Sequence, residues 1–402
     1  MLFRKRQASE NCSSESIKIY TSKSVLIELR IDIVTSSIYP LYNLAEFGKR
    51  FSDLSDLNEI NLNIIDEGDE AVRKINSKLL TNIEHTFYGP KERIEWFKQL
   101  FGESYEQYTD VIPERCHAET SFGFLISYDS MPDIVIEIDD DTYPIPNYGL
   151  IEEHATNLSD SPGLRVNSEG RWYNTIDALQ VKNNVILYPR GHPYNINCRS
   201  VTYDWEETRD DCILNMGLWT GQMDLDALTI LYHNGLDGRC DVTSESILKS
   251  KIIVGEGTYF AVCSMNASFR PAIIPSFYQL YMNHLGIDRF DDIWSGIFLK
   301  KICDYLGHNV SLGRPAVYHD KRPRSVFKDL QKELGGLDIN EKLWHVTHES
   351  ELSGSSFPDA YLSLVESIEK KLSDSFSDEM QKKFLFTQLE NMKKWIEITD
   401  KI

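Results

Sequence analysis

The feature that most constrains this chain is an apolar segment that ends in three consecutive aspartates. Residues 133–138 read DIVIEI, and Asp139, Asp140 and Asp141 follow at once. A short apolar run bounded by polar residues is typical of a buried strand. Because successive strand residues point to opposite faces, Asp139 and Asp141 are predicted to project together and Asp140 to point away. Two carboxylates on one face repel each other until a cation relieves them.

This arrangement predicts a site for a hard divalent cation. Mg²⁺ and Mn²⁺ favour a few carboxylates together with phosphate oxygens. The carboxyl ends of strands are also where open α/β sheets hold their ligands. A solvated acidic loop is the alternative for the same three residues, because short motifs often occur by chance.

Strand and helix patterns alternate along the chain, which predicts an α/β fold with a mostly parallel central sheet. The other predicted strands cover residues 29–34, 62–65, 184–188 and 258–263. The predicted helices cover residues 45–54, 70–80, 93–101 and 292–306, and the chain from about residue 358 onward. The predicted division is a polar tail over residues 1–20, one α/β domain over 21–340 and a helical C-terminal extension over 341–402.

Charge and composition exclude several classes of protein. The chain has 42 basic and 62 acidic residues, a net charge of −20, so it repels a phosphate backbone and nucleic acid is not an expected partner. No apolar run approaches the length of a membrane span, and no secretory signal is expected at the start. Seven scattered cysteines without a C-x-x-C pair argue against a disulfide framework and favour the cytoplasm. The terminal helices are a candidate surface for homo-oligomers.

Other acidic and basic residues follow predicted strands or begin helices. Asp66 and Asp69 lie in a glycine-containing turn after the strand at 62–65, where they could accept hydrogen bonds from a base or ribose or simply form a turn. Asp291 and Asp292 begin the helix at 292–306, where capping and acid–base catalysis are both open. His319 follows a strand-like run and is a candidate metal ligand. The cluster of Lys321, Arg322 and Arg324 beside it could neutralise phosphates or be solvated.

A rigid loop holds a further cation. The segment PRGHPY contains Arg190 and His192 between two prolines and a glycine that restrict its backbone. The loop is interpreted either as a rigid surface feature or as a support that holds Arg190 near an anionic substrate.

In order, these segments resemble the reversibly glycosylated polypeptide family, which includes UDP-arabinopyranose mutases. The matching pieces are DEGDE from Asp66, IDDDT from Ile138, PRGHPY from Pro189, GLW and DLDA from Gly217, GTYF and MNASF from Gly257, RFDDIWSG from Arg289, and ICDYLGHNV with GRPAVYH from Ile302. The departures are His192 where the family has an aromatic residue, Leu228 in place of a proline, Glu67 in the acidic turn, and Arg199 as the nearest candidate for a second loop arginine.

The resemblance implies a GT-A type glycosyltransferase fold, a UDP-sugar substrate and a divalent metal, Mn²⁺ or Mg²⁺. It places the family's aspartate-rich strand end on Asp139, Asp140 and Asp141 and its reversibly glycosylated arginine on Arg190, which is expected to trap the sugar or stabilise the phosphate. The expected metal ligands are Asp139, Asp141 and His319, and the expected catalytic residues are Arg190, Asp291 and Asp292. Substrate binding is expected from Asp66, Asp69, Asp140, His192, Trp219, Asp224, Asp226, Asn266, Trp294 and Lys321.

The expected activity is interconversion of the pyranose and furanose forms of a UDP-sugar. The alternatives are transfer of the sugar to an acceptor or to the protein itself, and nucleotide-sugar binding without turnover. No flavin is expected, because no G-x-G-x-x-G follows a predicted strand.

Overall fold

The computed structural model of the protein describes residues 29–54, 58–146, 148–199 and 201–402. The predicted tail over residues 1–20 lies outside the described residues. Within them the chain alternates strands and helices up to residue 319 and is helical for most of the remainder.

One sheet contains all the strands of the described residues. The strands are β1 Arg30–Ser37, β2 Glu59–Asp66, β3 His85–Tyr88, β4 Ile134–Ile138, β5 Thr142–Pro144, β6 Ser161–Ser168, β7 Leu179–Val181, β8 Tyr203–Asp210, β9 Leu214–Gln222, β10 Thr243–Ile247, β11 Lys251–Val254, β12 Asn266–Phe269 and β13 Val310–His319. The helices are α1 Tyr42–Leu54, α2 Glu70–Leu79, α3 Pro90–Phe101, α4 Glu106–Thr109, α5 Thr120–Ser130, α6 Leu150–Leu158, α7 Ala227–Tyr232, α8 Asp291–Leu306, α9 Val326–His348, α10 Phe357–Ser375 and α11 Glu379–Lys401.

The strand order is β3-β2-β1-β4-β12-β9-β13-β11-β6-β8. The first four strands run parallel, as the alternation of strands and helices predicts. From β12 onward the sheet mixes parallel and antiparallel pairs, and β5, β7 and β10 pair along its side. The predicted α/β class with a large central sheet and C-terminal helices is confirmed.

The central strands are apolar because both of their faces are covered. Every residue of β4 is buried, including Glu137, whose Oε1 accepts a hydrogen bond of 2.6 Å from Gln279 Nε2. Helix α5 packs on β1 and β2, and Gly123 lets it approach closely. A Cβ at Gly123 would lie 2.3 Å from Val34 Cγ1.

Two predicted strands are wrong. Residues 185–188 are irregular, since Asn183 and Asn184 take left-handed φ angles of 64° and 50° and Pro189 follows. Residues 258–263 form no strand beyond a single bridge from Tyr259 to Trp172. Their apolar character reflects burial in the core, where Tyr259 also packs beside Trp344, and not membership of a strand ladder.

The C-terminal helices pack on the α/β part of the molecule. Helix α9 runs from Val326 to His348, so residue 340, the predicted domain boundary, lies inside it. Helices α10 and α11 pack on the 3₁₀ segment Pro271–Ser276, where Trp395 Nε1 donates a 2.9 Å hydrogen bond to Ile274 O. Among the described helices, none combines the length and the apolar character that a bilayer crossing requires.

Candidate functional site

The carboxyl ends of β1, β2, β4 and β13 border a cavity of about 550 Å³. Ten of the sixteen predicted site residues line it. They are Asp69, Asp139, Asp140, Asp141, Arg190, Asp224, Asp291, Asp292, His319 and Lys321.

The aspartate triplet forms a turn, because β4 ends at Ile138. The turn is held through the backbone of Asp139, whose N–H donates to Met265 O and whose carbonyl accepts from Asn43 Nδ2 and Thr142 Oγ1. The predicted alternation of side chains is therefore wrong: Asp140 does not point away, and all three aspartates line the cavity.

The three carboxylates differ in their protein partners. Asp140 accepts hydrogen bonds from Ser37 and Arg322, and His319 Nε2 lies 3.7 Å from Asp141 Oδ2. No ion pair in the described part of the chain reaches Asp139. Burial, followed by the charges of Asp141 and Asp140, raises the pKa of Asp139 well above its ordinary value. For Asp141, burial opposes ionisation, but His319 outweighs it and lowers the pKa.

His319 is oriented by the backbone. Its Nδ1 lies 2.7 Å from Gln222 O, and because a carbonyl only accepts, Nδ1 carries the hydrogen. Nε2, which lies next to Asp141, therefore donates to that carboxylate only in the imidazolium form and carries a lone pair in the neutral form. Among the described residues, no three His, Cys, Asp or Glu side chains lie close enough to hold a metal ion. Asp139, Asp141 and His319 thus do not form a complete three-residue ligand set in this structure.

The Arg190 side chain is only 10% exposed and is bound on several sides. Its Nε and Nη2 donate to the two carboxylate oxygens of Asp224 at 3.1 and 3.0 Å, its Nη1 donates to Arg289 O, and Asp292 lies 3.8 Å from Nη1. Burial opposes the charge, but Asp224 and then Asp292 outweigh it and hold the pKa of Arg190 well above its ordinary value. Gly191 follows with φ +87° and lies against Ile293 of α8, which fixes this loop beside the helix.

Asp292 is a buried acid with an intermediate pKa. Burial raises the pKa, the Arg190 guanidinium lowers it, and Asp291 and Asp224 raise it again, to about 6. Its carboxylate accepts from the backbone N–H groups of Ser264 and Ile293 at 3.2 and 2.9 Å. The first turn of α8 thus carries a group that can exchange a proton near neutral pH.

Lys321 is a buried cation in the cavity wall. It is 4% exposed, and within the described residues its Nζ has no hydrogen-bond partner. Burial and then the nearby Arg289 lower its pKa to about 8. An unpaired cation in a cavity wall is costly unless an anion binds there.

Most carboxylates in the acidic turn after β2 have hydrogen-bond or ion-pair partners close to the turn. Asp66, which does not line the cavity, accepts from Gly68 N, and Asp69 Oδ1 accepts from Val72 N as the N-cap of α2. Glu67 is buried against Arg93. Burial and then the charge of Glu67 raise the pKa of neighbouring Glu119 to about 9.

The other predicted site residues do not reach the cavity wall. His192 Nε2 bonds Cys198 O, Asn266 bonds Leu218 O and Pro315 O, and Trp294 Nε1 donates to Asn340. Trp219 is buried in the core. Asp226 caps α7 through Thr229 N and accepts from Tyr194 Oη.

The cavity wall also contains charged residues outside the sixteen predicted site residues, namely Glu67, Arg115, Glu119, Arg289, Arg322 and Arg324. Arg322 and Arg324 belong to the basic cluster with Lys321, and this clustering in the sequence is the signal that could have identified them. Arg289 precedes Asp291 in a matched segment. Nothing in the sequence pattern around Glu119 marks it.

Comparisons with known proteins agree on one family. The sequence profile of a family described as "Reversibly glycosylated polypeptide" matches residues 30–402. Relatives include "Probable UDP-arabinopyranose mutase 2" of Solanum tuberosum, 27% identical over 294 residues, 70% of each chain. "UDP-arabinopyranose mutase 2" of Arabidopsis thaliana is 26% identical over 293 residues, 70% of this chain and 71% of that protein.

A solved structure, glucosyl-3-phosphoglycerate synthase from Mycobacterium tuberculosis with Mn²⁺ and UDP, is 11% identical. It superimposes with a TM-score of 0.36 over 84% of this chain and 80% of that chain.

Proposed function

This chain belongs to the reversibly glycosylated polypeptide family, and from that premise we propose that it is a metal-dependent enzyme acting on a UDP-sugar, of the pyranose–furanose mutase type. The relatives at 26–27% identity carry the name UDP-arabinopyranose mutase, which supports the substrate class. The GT-A type of fold that the family implies agrees with an α/β sheet whose strand ends border the cavity.

The observation that carries the proposal is the meeting of two opposite kinds of group in one cavity. The unpaired ammonium of Lys321 lines the same cavity as Asp139, whose carboxylate has no cationic partner among the described residues. A diphosphate satisfies the ammonium, and a divalent cation satisfies the carboxylate. The Lys321 ammonium and the Asp139 carboxylate together fit a metal-bound nucleoside diphosphate.

The donor set suits a hard cation. Asp139 and Asp141 supply carboxylate oxygens, His319 Nε2 is a third candidate ligand, and substrate phosphates complete such sites. Burial and like charge raise the pKa of Asp139, and a cation would relieve both causes. When bound, the ion supplies charge withdrawal from the departing diphosphate.

We assign Arg190 to charge stabilisation in preference to trapping the sugar. A guanidinium held charged by Asp224 and Asp292 has no nucleophilic lone pair. Its fixed position favours stabilising negative charge on the leaving group. Asp292, with a pKa of about 6, is the proposed proton-exchanging group for a sugar hydroxyl.

Product analysis tests the proposal. Purified protein with Mn²⁺ is incubated with UDP-pentoses and UDP-hexoses, and the products are chromatographed. A mutase yields an isomeric UDP-sugar without net UDP release, whereas a transferase liberates UDP. Lys321→Met is expected to lose turnover, while Lys98→Met, which removes a surface ion pair with Glu95, retains it. The proposal fails if the unaltered protein converts none of these sugars, and UDP binding without conversion would favour a nucleotide-sugar-binding protein.

A further inference from the structure

The inner face of α9 contributes two carboxylates beside the cavity wall. Asp329 and Glu333 lie one helical turn apart, and both are buried. Neither lines the cavity, but both contact arginines that do, Arg289 and Arg324.

Glu333 uses both of its oxygens. Oε1 accepts from Arg289 Nε at 2.6 Å, and Oε2 accepts from Ala227 N at 2.6 Å, the first residue of α7. Ala227 follows the segment that carries Asp224, the partner of Arg190. Glu333 therefore ties one cavity arginine to the segment that holds another.

Asp329 lies between two like charges. Its Oδ2 accepts from Arg324 Nε at 2.7 Å and lies 3.9 Å from Arg289 Nη1. Partial burial and then the charge of Arg289 lower the pKa of Arg324, so the two guanidinium groups are close enough to repel each other. Because the Arg324 side chain is 43% exposed, it can move into solvent unless Asp329 holds it.

We propose that Asp329 and Glu333 are positioning residues that hold Arg289 and Arg324 in the cavity wall, where the two guanidinium groups meet the diphosphate of the bound nucleotide. This inference rests on the proposed function. It makes α9 a structural part of the substrate site, although its side chains touch no substrate.

The test measures UDP binding by calorimetry in the presence of Mn²⁺. Asp329→Asn is expected to weaken binding about tenfold, the equivalent of one charged hydrogen bond, and Asp329→Glu to recover part of the loss. Asp338→Asn is the matched control on the same helix, because that carboxylate is 59% exposed. Glu333→Gln tests the second residue, with a thermal melt to verify folding.

A double-mutant cycle separates positioning from general destabilisation. If Asp329 acts through Arg324, Asp329→Asn adds little to the loss caused by Arg324→Met. Equal losses in both backgrounds contradict the inference. So does unchanged or tighter UDP binding by Asp329→Asn, since removing a negative charge would by itself strengthen anion binding. If the unaltered protein binds no UDP, the proposed function fails together with the inference; if it binds UDP and the variants behave alike, only the inference fails.

Discussion

The acidic turns after β2 and β4 flank the same strand, β1, yet they use their carboxylates differently. After β2, Asp66 and Asp69 accept backbone hydrogen bonds and Glu67 faces Arg93. After β4, Asp139 has no such partner among the described residues, and its pKa is raised by burial and by its neighbours. A carboxylate that caps a helix or pairs with an arginine already has a protein partner. An acidic motif is therefore best interpreted as a ligand site where its carboxylates have no protein partner after folding.

The largest effect is expected from Asp139→Asn. We expect turnover of the UDP-sugar to fall about a hundredfold or more, because the metal loses a ligand. Asp129→Asn, which changes an exposed carboxylate on α5, is the matched control.

Asp139→Asn should also raise the melting temperature of the protein. Because folding raises the pKa of Asp139, the folded protein is destabilised as the pH rises above the ordinary value of 3.8. The stability gained by Asp139→Asn should therefore be larger at pH 7 than near pH 4. Unchanged turnover would remove the distinction between the two turns.

The buried pair in the β2 turn is expected to act on stability instead. Arg93→Met leaves Glu67 without its cation in the interior and should cost about 3 kcal/mol of the free energy of unfolding, measured with urea. Arg73→Met removes a guanidinium that is 37% exposed and should cost less than about 1 kcal/mol. If the two losses are equal, burial does not govern the strength of these pairs.

The pH dependence of UDP binding tests the role of Lys321, which lines the same cavity as the β4 turn. The pKa of Lys321 is lowered to about 8, so the ammonium is present below that pH and lost above it. UDP affinity measured with Mg²⁺ should therefore fall as the pH rises from 7 to 9, by about tenfold in all if one charged hydrogen bond is lost. Lys321→Met should bind weakly throughout and give a flat profile, while Lys321→Arg should hold its affinity to higher pH. A steep profile in Lys321→Met would assign the titration to another group.

The smallest effect should come from Asp69→Ala. Loss of the N-cap of α2 is expected to cost about 1 kcal/mol in urea unfolding. UDP affinity should change little, because the carboxylate oxygen is used by Val72 N. A marked loss of UDP affinity without loss of stability would show that Asp69 binds the nucleotide, and the two acidic turns would then be alike.

Much of the first half of the fold follows from the sequence, because β1, β2 and β4 are short apolar runs separated by amphipathic helices. The later strands do not, since β9 and β13 contain Asn215, Gly217, Gly313 and Arg314 among apolar residues and break the expected pattern. Residues 258–263 have the apolar pattern of a strand but form none, because their apolar side chains are buried in the core without strand pairing.

The site divides in a similar way. Asp139 and its neighbours are recognisable because they are consecutive and follow a strand. The contact between Asp329 and Arg289 joins residues forty positions apart, and no local pattern can predict it. The roles of the predicted site residues, the domain division and the terminal helices as an oligomer surface stay predictions.

Helix α9 has a practical consequence for anyone who shortens this protein. A fragment cut at residue 340, where the sequence suggests that the first domain stops, would end at the residue whose amide bonds both Trp294 and the carbonyl of Gly191. The severed last turns would fray next to the loop that holds Arg190. A useful minimal expression product should therefore retain the helix through His348, and the covering helices beyond it.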